Sequence, residues 1–163
     1  RAQPRREHRA SVTQMRNTMN DEGWMMNDMG AVMEEPQEAA SGYQRLEIWR
    51  LARDLSAEVH RMTLEELPRF EMHEVGSQVR RSAKSIRANI VEGYGKRRYK
   101  LEFLRHLTYA LGSAQETLDH LDTLHETGSL VSQQRHAELA DHTRLLIAKL
   151  RTFMHGVELH HRS

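Results

Sequence analysis

Leu104-Arg105-His106-Leu107-Thr108-Tyr109-Ala110-Leu111-Gly112-Ser113-Ala114-Gln115-Glu116-Thr117-Leu118-Asp119-His120-Leu121 is the stretch that decides the fold. Leu104, Leu107, Leu111, Ala114, Leu118 and Leu121 recur three and four residues apart, the spacing that places apolar side chains along one seam of a helix. The pattern predicts a helix from about Tyr99 to Glu126, stopped at Gly128. Gly112 lies in its middle, where glycine costs about 1 kcal/mol relative to alanine. The expected compensation is close approach of a neighbouring helix.

Working outward, the same period predicts three more helices. Upstream, Val75, Val79, Ser82, Ala83, Ile86 and Ile90 share one face of a helix from roughly Met72 to Tyr94. It stops at Gly93 and Gly95, residues suited to a left-handed C-cap. Further upstream, Ile48, Ala52, Leu55, Val59 and Met62 mark a helix from about Tyr43 to Leu64, ended by Leu67-Pro68. Proline pushes the residue before it out of the helical region. Downstream, Ser132 is a capping candidate for a fourth helix carrying Leu139, Leu146, Leu150, Phe153 and Val157. At about 1.5 Å per residue each helix spans on the order of 30–40 Å. Short loops between such helices predict an all-α, up-down-up-down antiparallel four-helix bundle over residues 43–163.

Residues 1–42 read differently. They hold six of the nine methionines and no Leu, Ile, Phe or Tyr, so little apolar area is available to offset the entropy of ordering them. They are expected to be a disordered or non-native leader, with Met29 or Met33 as the natural start. Composition agrees with one domain: 163 residues, 38% hydrophobic and 29% charged, with three prolines and nine glycines. No apolar run is long enough to span a bilayer, and the N-terminus has arginines but no apolar core of a signal peptide. The absence of cysteine excludes disulfides, thiolate metal sites and cysteine nucleophiles. A cytoplasmic protein is expected.

The net charge of +1 hides an uneven distribution. Residues 78–105 carry nine basic side chains (Arg80, Arg81, Lys84, Arg87, Lys96, Arg97, Arg98, Lys100, Arg105) against Glu92 and Glu102. Arg80, Lys84 and Arg87 fall at i, i+4 and i+7, one stripe on the outer face of the second helix. Lys96 to Lys100 continue the charge across the next turn. Concentrated positive charge attracts phosphates, and Tyr94 and Tyr99 beside it are placed to stack on unpaired bases. The alternative is a solvated face whose charges pair with acidic residues of helices one and four.

Asn89 and Glu92, three residues apart, share a face. As no histidine or second carboxylate accompanies them at ligand spacing, they are read as a polar contact, Glu92 accepting from an arginine and Asn89 pairing across helices. Eleven histidines raise a metal reading through Glu116/His120, Asp122/His125 and the cluster His155, His160 and His161. A di-iron bundle, however, needs inward Glu-x-x-His repeats on two helices plus two further glutamates. No metal or cofactor is expected. Neither a phosphate-binding glycine loop nor a nucleophile elbow is present, so no enzyme is expected.

The stretches Gly76 to Ala83 and Ser85 to Gly95 resemble the 23S rRNA intervening-sequence protein family. So do Glu102-Phe103-Leu104, Tyr109 to Glu116, Gly128-Ser129-Leu130 and the opening Tyr43 to Trp49. The likeness covers residues 43 to about 155 in order and spacing. It implies a bacterial four-helix bundle that assembles as a barrel-like homopentamer. A related branch, the accessory variability protein of diversity-generating retroelements, is a basic pentamer that works with a reverse transcriptase and template RNA. Two positions depart from the family pattern, Lys84 and Arg87, and both add positive charge. Leu46, Leu51, Leu101 and Tyr109, beside the main seams, are apolar positions that a lone bundle leaves partly exposed. The expected function is non-enzymatic RNA binding through a basic surface, with a structural or partner-binding protein as the alternative.

Overall fold

The computed structural model describes residues 42–161 and, before them, Thr18–Met19 and Met25–Met26. The chain divides into two compact units, Arg1–Ala39 and Ala40–Ser163. In the first, β1 (Thr18–Met19) pairs antiparallel with β2 (Met25–Met26), Thr18 opposite Met26. The rest of the expected leader lies outside the described residues.

The second unit holds α1 (Glu47–Glu65), α2 (Val75–Gly95), α3 (Lys100–Glu126) and α4 (Gln133–His160). Their directions follow from which residues meet. On α2 and α3, Ser82 meets Thr117, Ser85 meets Ser113 and Glu92 meets His106, so one number rises as the other falls. Likewise α1 and α4 pair Glu47 with Lys149 and Glu66 with Arg135. Asp122 on α3 meets His136 on α4 near the α3–α4 connection, and Lys100 meets Glu158 at the opposite end. Arg87 of α2 lies over Trp49 of α1, and Tyr94 packs on Tyr43 just before α1. Every neighbouring pair is therefore antiparallel, which is the expected up-down-up-down bundle.

Start and stop signals act as the side chains require. Ser132 accepts a hydrogen bond from the Arg135 N–H at 3.2 Å, capping α4. Gly128 takes φ +75° at the close of α3, a conformation that disfavours L side chains. The second helix begins three residues later than its period suggests, because Arg69–Met72 form a 3-10 turn. That turn buries Glu71, only 4% exposed, whose two carboxylate oxygens accept from Ser129 Oγ (2.7 Å) and the Gly76 N–H (3.2 Å). A buried carboxylate is tolerated only with such donors. Glu71 thereby ties the start of α2 to the α3–α4 loop. A Cβ at Gly76 would collide with the Glu71 carbonyl.

The core confirms the inward faces expected of the first two helices, Ile48, Ala52, Leu55, Val59 and Met62 of α1 and Val79, Ser82, Ala83, Ile86 and Ile90 of α2 being buried, except that Val75 is half-buried. On α3 the seam is rotated. Its buried residues are Phe103, His106, Leu107, Ala110, Ala114, Thr117, Leu121 and Leu124, whereas Leu104, Leu111 and Leu118 are half-buried at its edge. Polar side chains occupy the inner face because α2 supplies their partners. Thr117 donates to Ser82 Oγ at 2.9 Å, and Ser113 donates to Ser85 Oγ at 2.9 Å. Such pairing satisfies groups that would otherwise be costly to bury.

Three glycine expectations are corrected. Gly112 is exposed, with nothing within 4 Å of where its Cβ would be, because it falls on the side of α3 opposite the rotated seam. The close contact is made instead by Gly93, whose Cβ would sit 3.0 Å from His106 Cβ and 3.2 Å from the Phe103 ring. Gly93 and Gly95 are both helical, not left-handed caps, and α2 closes on Lys96 at φ −95°.

Candidate nucleic-acid interface

The acidic residues expected to neutralise the basic segment are engaged elsewhere. On the α1/α4 seam, Arg135 lies 3.2 Å from Glu66, 3.4 Å from Glu138 and 3.8 Å from Glu58. Lys149 lies 2.9 Å from Glu47, and His142 lies 3.8 Å from Glu58. Helix α4 thus brings its own bases to the acids of α1. Of the nine basic side chains between 78 and 105, Arg105 pairs with Glu102 at 3.1 Å. Among the described residues, none of the other eight forms an ion pair with a carboxylate.

Those eight are not equivalent. Arg81, Lys84 and Arg98 are exposed, but Arg80 is half-buried and donates to the Met72 carbonyl at 2.8 Å. Arg80 therefore braces the 3-10 turn and does not lie on a free outer face, which corrects the expected stripe. Arg87 sits 5.6 Å from the centre of the Trp49 ring, and Arg53 of α1 sits 5.5 Å from it. A guanidinium over an indole is attracted by the ring quadrupole. Trp49 itself is 7% exposed, with its ring N–H unpartnered, and stacks edge-on against Tyr43 at 5.4 Å. Between α1 and α2 lies a cavity of about 430 Å³ lined by Tyr43, Ser56, Lys84, Arg87, Val91 and Glu92.

At the α2–α3 turn the cations are fixed by the fold. Arg97 packs over the Tyr94 ring at 4.2 Å and donates to the Tyr94 carbonyl. With Tyr43 edge-on at 6.3 Å, Tyr94 is a packed ring and not a free stacking platform. Tyr99 is exposed and available. Lys100 donates to the Glu158 carbonyl at 2.6 Å, joining α3 to α4. Lys96 Nζ lies 2.8 Å from His106 Nε2, and Nδ1 of the same ring lies 3.4 Å from Glu92 Oε2. Glu92 therefore faces a histidine, not the arginine expected of it. Asn89 bonds within its own helix, donating to the Ser85 carbonyl at 2.9 Å, and the link across to α3 is made by Ser85.

The histidines are dispersed into pairs. Asp122 meets His136 at 2.7 Å, not His125, which instead stacks on His136 at 4.4 Å and lies 2.8 Å from Gln133 Oε1. His120 lies 3.5 Å from Glu116, and His155 lies 3.6 Å from Glu158. Among the described residues no three metal-ligating side chains converge. Nor is any described helix long and apolar enough to cross a membrane.

Trp49 and Arg53 have no counterpart in the sequence-based site. Their i, i+4 spacing on one helix face is visible in the chain, but their value depends on α2 lying alongside. Leu101, at 79% exposure, and Tyr109, at 54%, leave apolar area on the outside of α3.

Comparison with known proteins places this architecture. The family model described as 23S rRNA-intervening sequence protein matches residues 44–152. A crystal structure of a protein of unknown function from the S23 ribosomal protein family of Bacteroides thetaiotaomicron has the same fold, with a TM-score of 0.57. The identity is 19%, and the alignment covers 66% of this chain and 95% of that one. Among curated proteins none matches.

Proposed function

The chain belongs to the 23S rRNA-intervening sequence protein family, and from that premise we propose that it is a non-enzymatic, cytoplasmic homopentameric bundle that binds RNA, or an RNA–protein complex. The binding face is the α1/α2 groove and the α2–α3 turn. One observation carries this reading: eight cations within 28 residues have no carboxylate partner among the described residues, while Glu47, Glu58 and Glu66 are taken up by α4. Unpaired cations on rigid helices attract a polyanion and release its counterions. Five copies would add avidity, since a second contact on one strand becomes intramolecular.

Anisotropy of a labelled single-stranded RNA tests it, comparing the wild type with the Arg81→Glu, Lys84→Glu, Arg98→Glu triple variant. These three side chains are exposed, so the reversal leaves the fold intact. Loss of binding is the expected result, and wild-type binding by the variant overturns the reading. Light scattering near five times 19.0 kDa is the expected mass.

A second reading rests on Leu101, Tyr99 and Tyr109, exposed apolar residues at and beyond the start of α3. They suit a protein partner, for example a reverse transcriptase to which this bundle is an accessory subunit, with no direct RNA contact. Retained capture of such a partner by the charge-reversed protein would favour it.

A further inference from the structure

A carboxylate in a phosphate-binding groove works against the ligand unless it does something else. Glu92 is the acidic residue lining the α1/α2 cavity, beside Lys84 and Arg87. Its position is not incidental. Oε2 lies 3.4 Å from Nδ1 of His106, a ring 7% exposed whose Nε2 lies 2.8 Å from Lys96 Nζ. The carboxylate thus sits beside a buried ring while Glu92 itself stays exposed, and neither of its oxygens has a hydrogen-bond partner among the described residues. A polyanion gains nothing from these oxygens, whereas a neutral hydroxyl donor does.

The cavity also has the size and chemistry of one nucleotide. At about 430 Å³ it falls in the range of small-ligand pockets. Lys84 and Arg87 offer two cationic donors for a phosphate, and Ala88 and Val91 offer apolar area for a base. The remaining recognition element is a hydrogen-bond acceptor, Glu92. The hydroxyl that distinguishes RNA from DNA is the ribose 2′-OH, which can donate.

We infer that the α1/α2 groove is a ribonucleotide subsite in which Lys84 and Arg87 hold a backbone phosphate and Glu92 accepts a hydrogen bond from the ribose 2′-OH. The inference deepens the RNA-binding reading and rests on it. Glu92 is then the residue that selects RNA over DNA, at some expense in affinity for DNA. Its removal should leave DNA binding equal or stronger, because a negative charge leaves the groove.

The test compares three labelled 20-mers, oligouridylate, oligodeoxyuridylate and 2′-O-methyl oligouridylate, by anisotropy with the full chain at about 100 mM salt. The wild type should prefer oligouridylate by about tenfold, as a hydrogen bond to a charged group provides. It should bind the methylated strand as weakly as the DNA, because methylation removes the donated proton while keeping the RNA-like sugar. Glu92→Ala should erase the preference by lowering RNA affinity to the DNA level. Glu92→Gln, which keeps an acceptor oxygen, should restore part of it. Equal affinity of the wild type for all three strands, or a preference that survives Glu92→Ala or 2′-O-methylation, overturns the subsite while leaving RNA binding standing. Failure of the wild type to bind any of the three overturns both.

Discussion

The two seams that flank α1 are built from similar residue types and end in opposite electrostatic states. Along α1/α4, Arg135 and Lys149 reach Glu47, Glu58 and Glu66, and charge is consumed in holding the helices together. Along α1/α2, Arg53 and Arg87 rest on Trp49, Lys84 is exposed, and no acid of α1 other than Asp54, on Arg53, takes part. The first seam is satisfied internally. The second leaves cations for an external anion. The local density of charge does not separate them, since both are rich in arginine and lysine. What separates them is that Glu47, Glu58 and Glu66 face α4 and not α2.

Mutations at the two seams should therefore part cleanly. The largest effect is expected at Trp49, the platform of the open seam. Trp49→Ala should destabilise the bundle by about 3–5 kcal/mol, as for other buried large aromatic side chains. A loss under about 1 kcal/mol in denaturant unfolding would show that the ring is not part of the core.

Next in size is charge reversal confined to the groove. Lys84→Glu with Arg87→Glu should weaken single-stranded RNA binding by roughly 30-fold or more, an order-of-magnitude estimate for losing about two phosphate contacts. The matched reversal on α4, Arg144→Glu with Arg151→Glu, should change it by no more than a few-fold. Equal losses from the two pairs would erase the distinction between the seams and leave only net charge.

The closed seam predicts a smaller, complementary result. Arg135→Ala should cost about 1 kcal/mol, because exposed or partly exposed ion pairs contribute roughly 0.2–1 kcal/mol each. Its RNA affinity should be unchanged. A fall in affinity would move the binding face onto α4.

The smallest effect has the opposite sign. Gly112→Ala meets open space on α3 and should stabilise the bundle by about 0.5–1 kcal/mol, from helix propensity alone. A destabilised variant would mean that something packs on this face, as a neighbouring subunit would.

Much of this architecture is legible in the chain, because periodicity reports burial wherever the core is apolar. Ile48 to Met62 and Val79 to Ile90 are buried as their spacing requires. On α3 the leucines mislead. Leu104, Leu111 and Leu118 form the most regular apolar stripe, yet the true seam passes through His106 and Thr117. Those two polar residues are buried against Ser82, Glu92 and Lys96 of α2, partners that no pattern within α3 can reveal. Misplacing the seam also misplaced Gly112, since a glycine reads as a contact only if its face is known.

The candidate site divides in the same way. The density of cations from Arg80 to Lys100 is plain in the chain, and so is the lack of nearby acids. That Arg80 braces a turn, that Arg97 covers Tyr94, and that Arg53 and Arg87 share the Trp49 ring all depend on how the elements pack. Glu92 is the clearest case. Its spacing from Asn89 points to a shared polar contact, whereas its neighbour is His106 of the next helix.

On the proposed function, the unpaired cations of α2 and the α2–α3 turn hold the backbone of an RNA strand. The most direct measurement is the salt dependence of that binding, with labelled single-stranded RNA titrated at several salt concentrations. Each neutralised phosphate contributes a slope of roughly 0.7 in log affinity against log salt. Several phosphates held at once should give a slope of about 3 or steeper, reduced when Lys84 and Arg98 become alanine. Binding that is independent of salt, or absent at about 100 mM salt, would contradict the account.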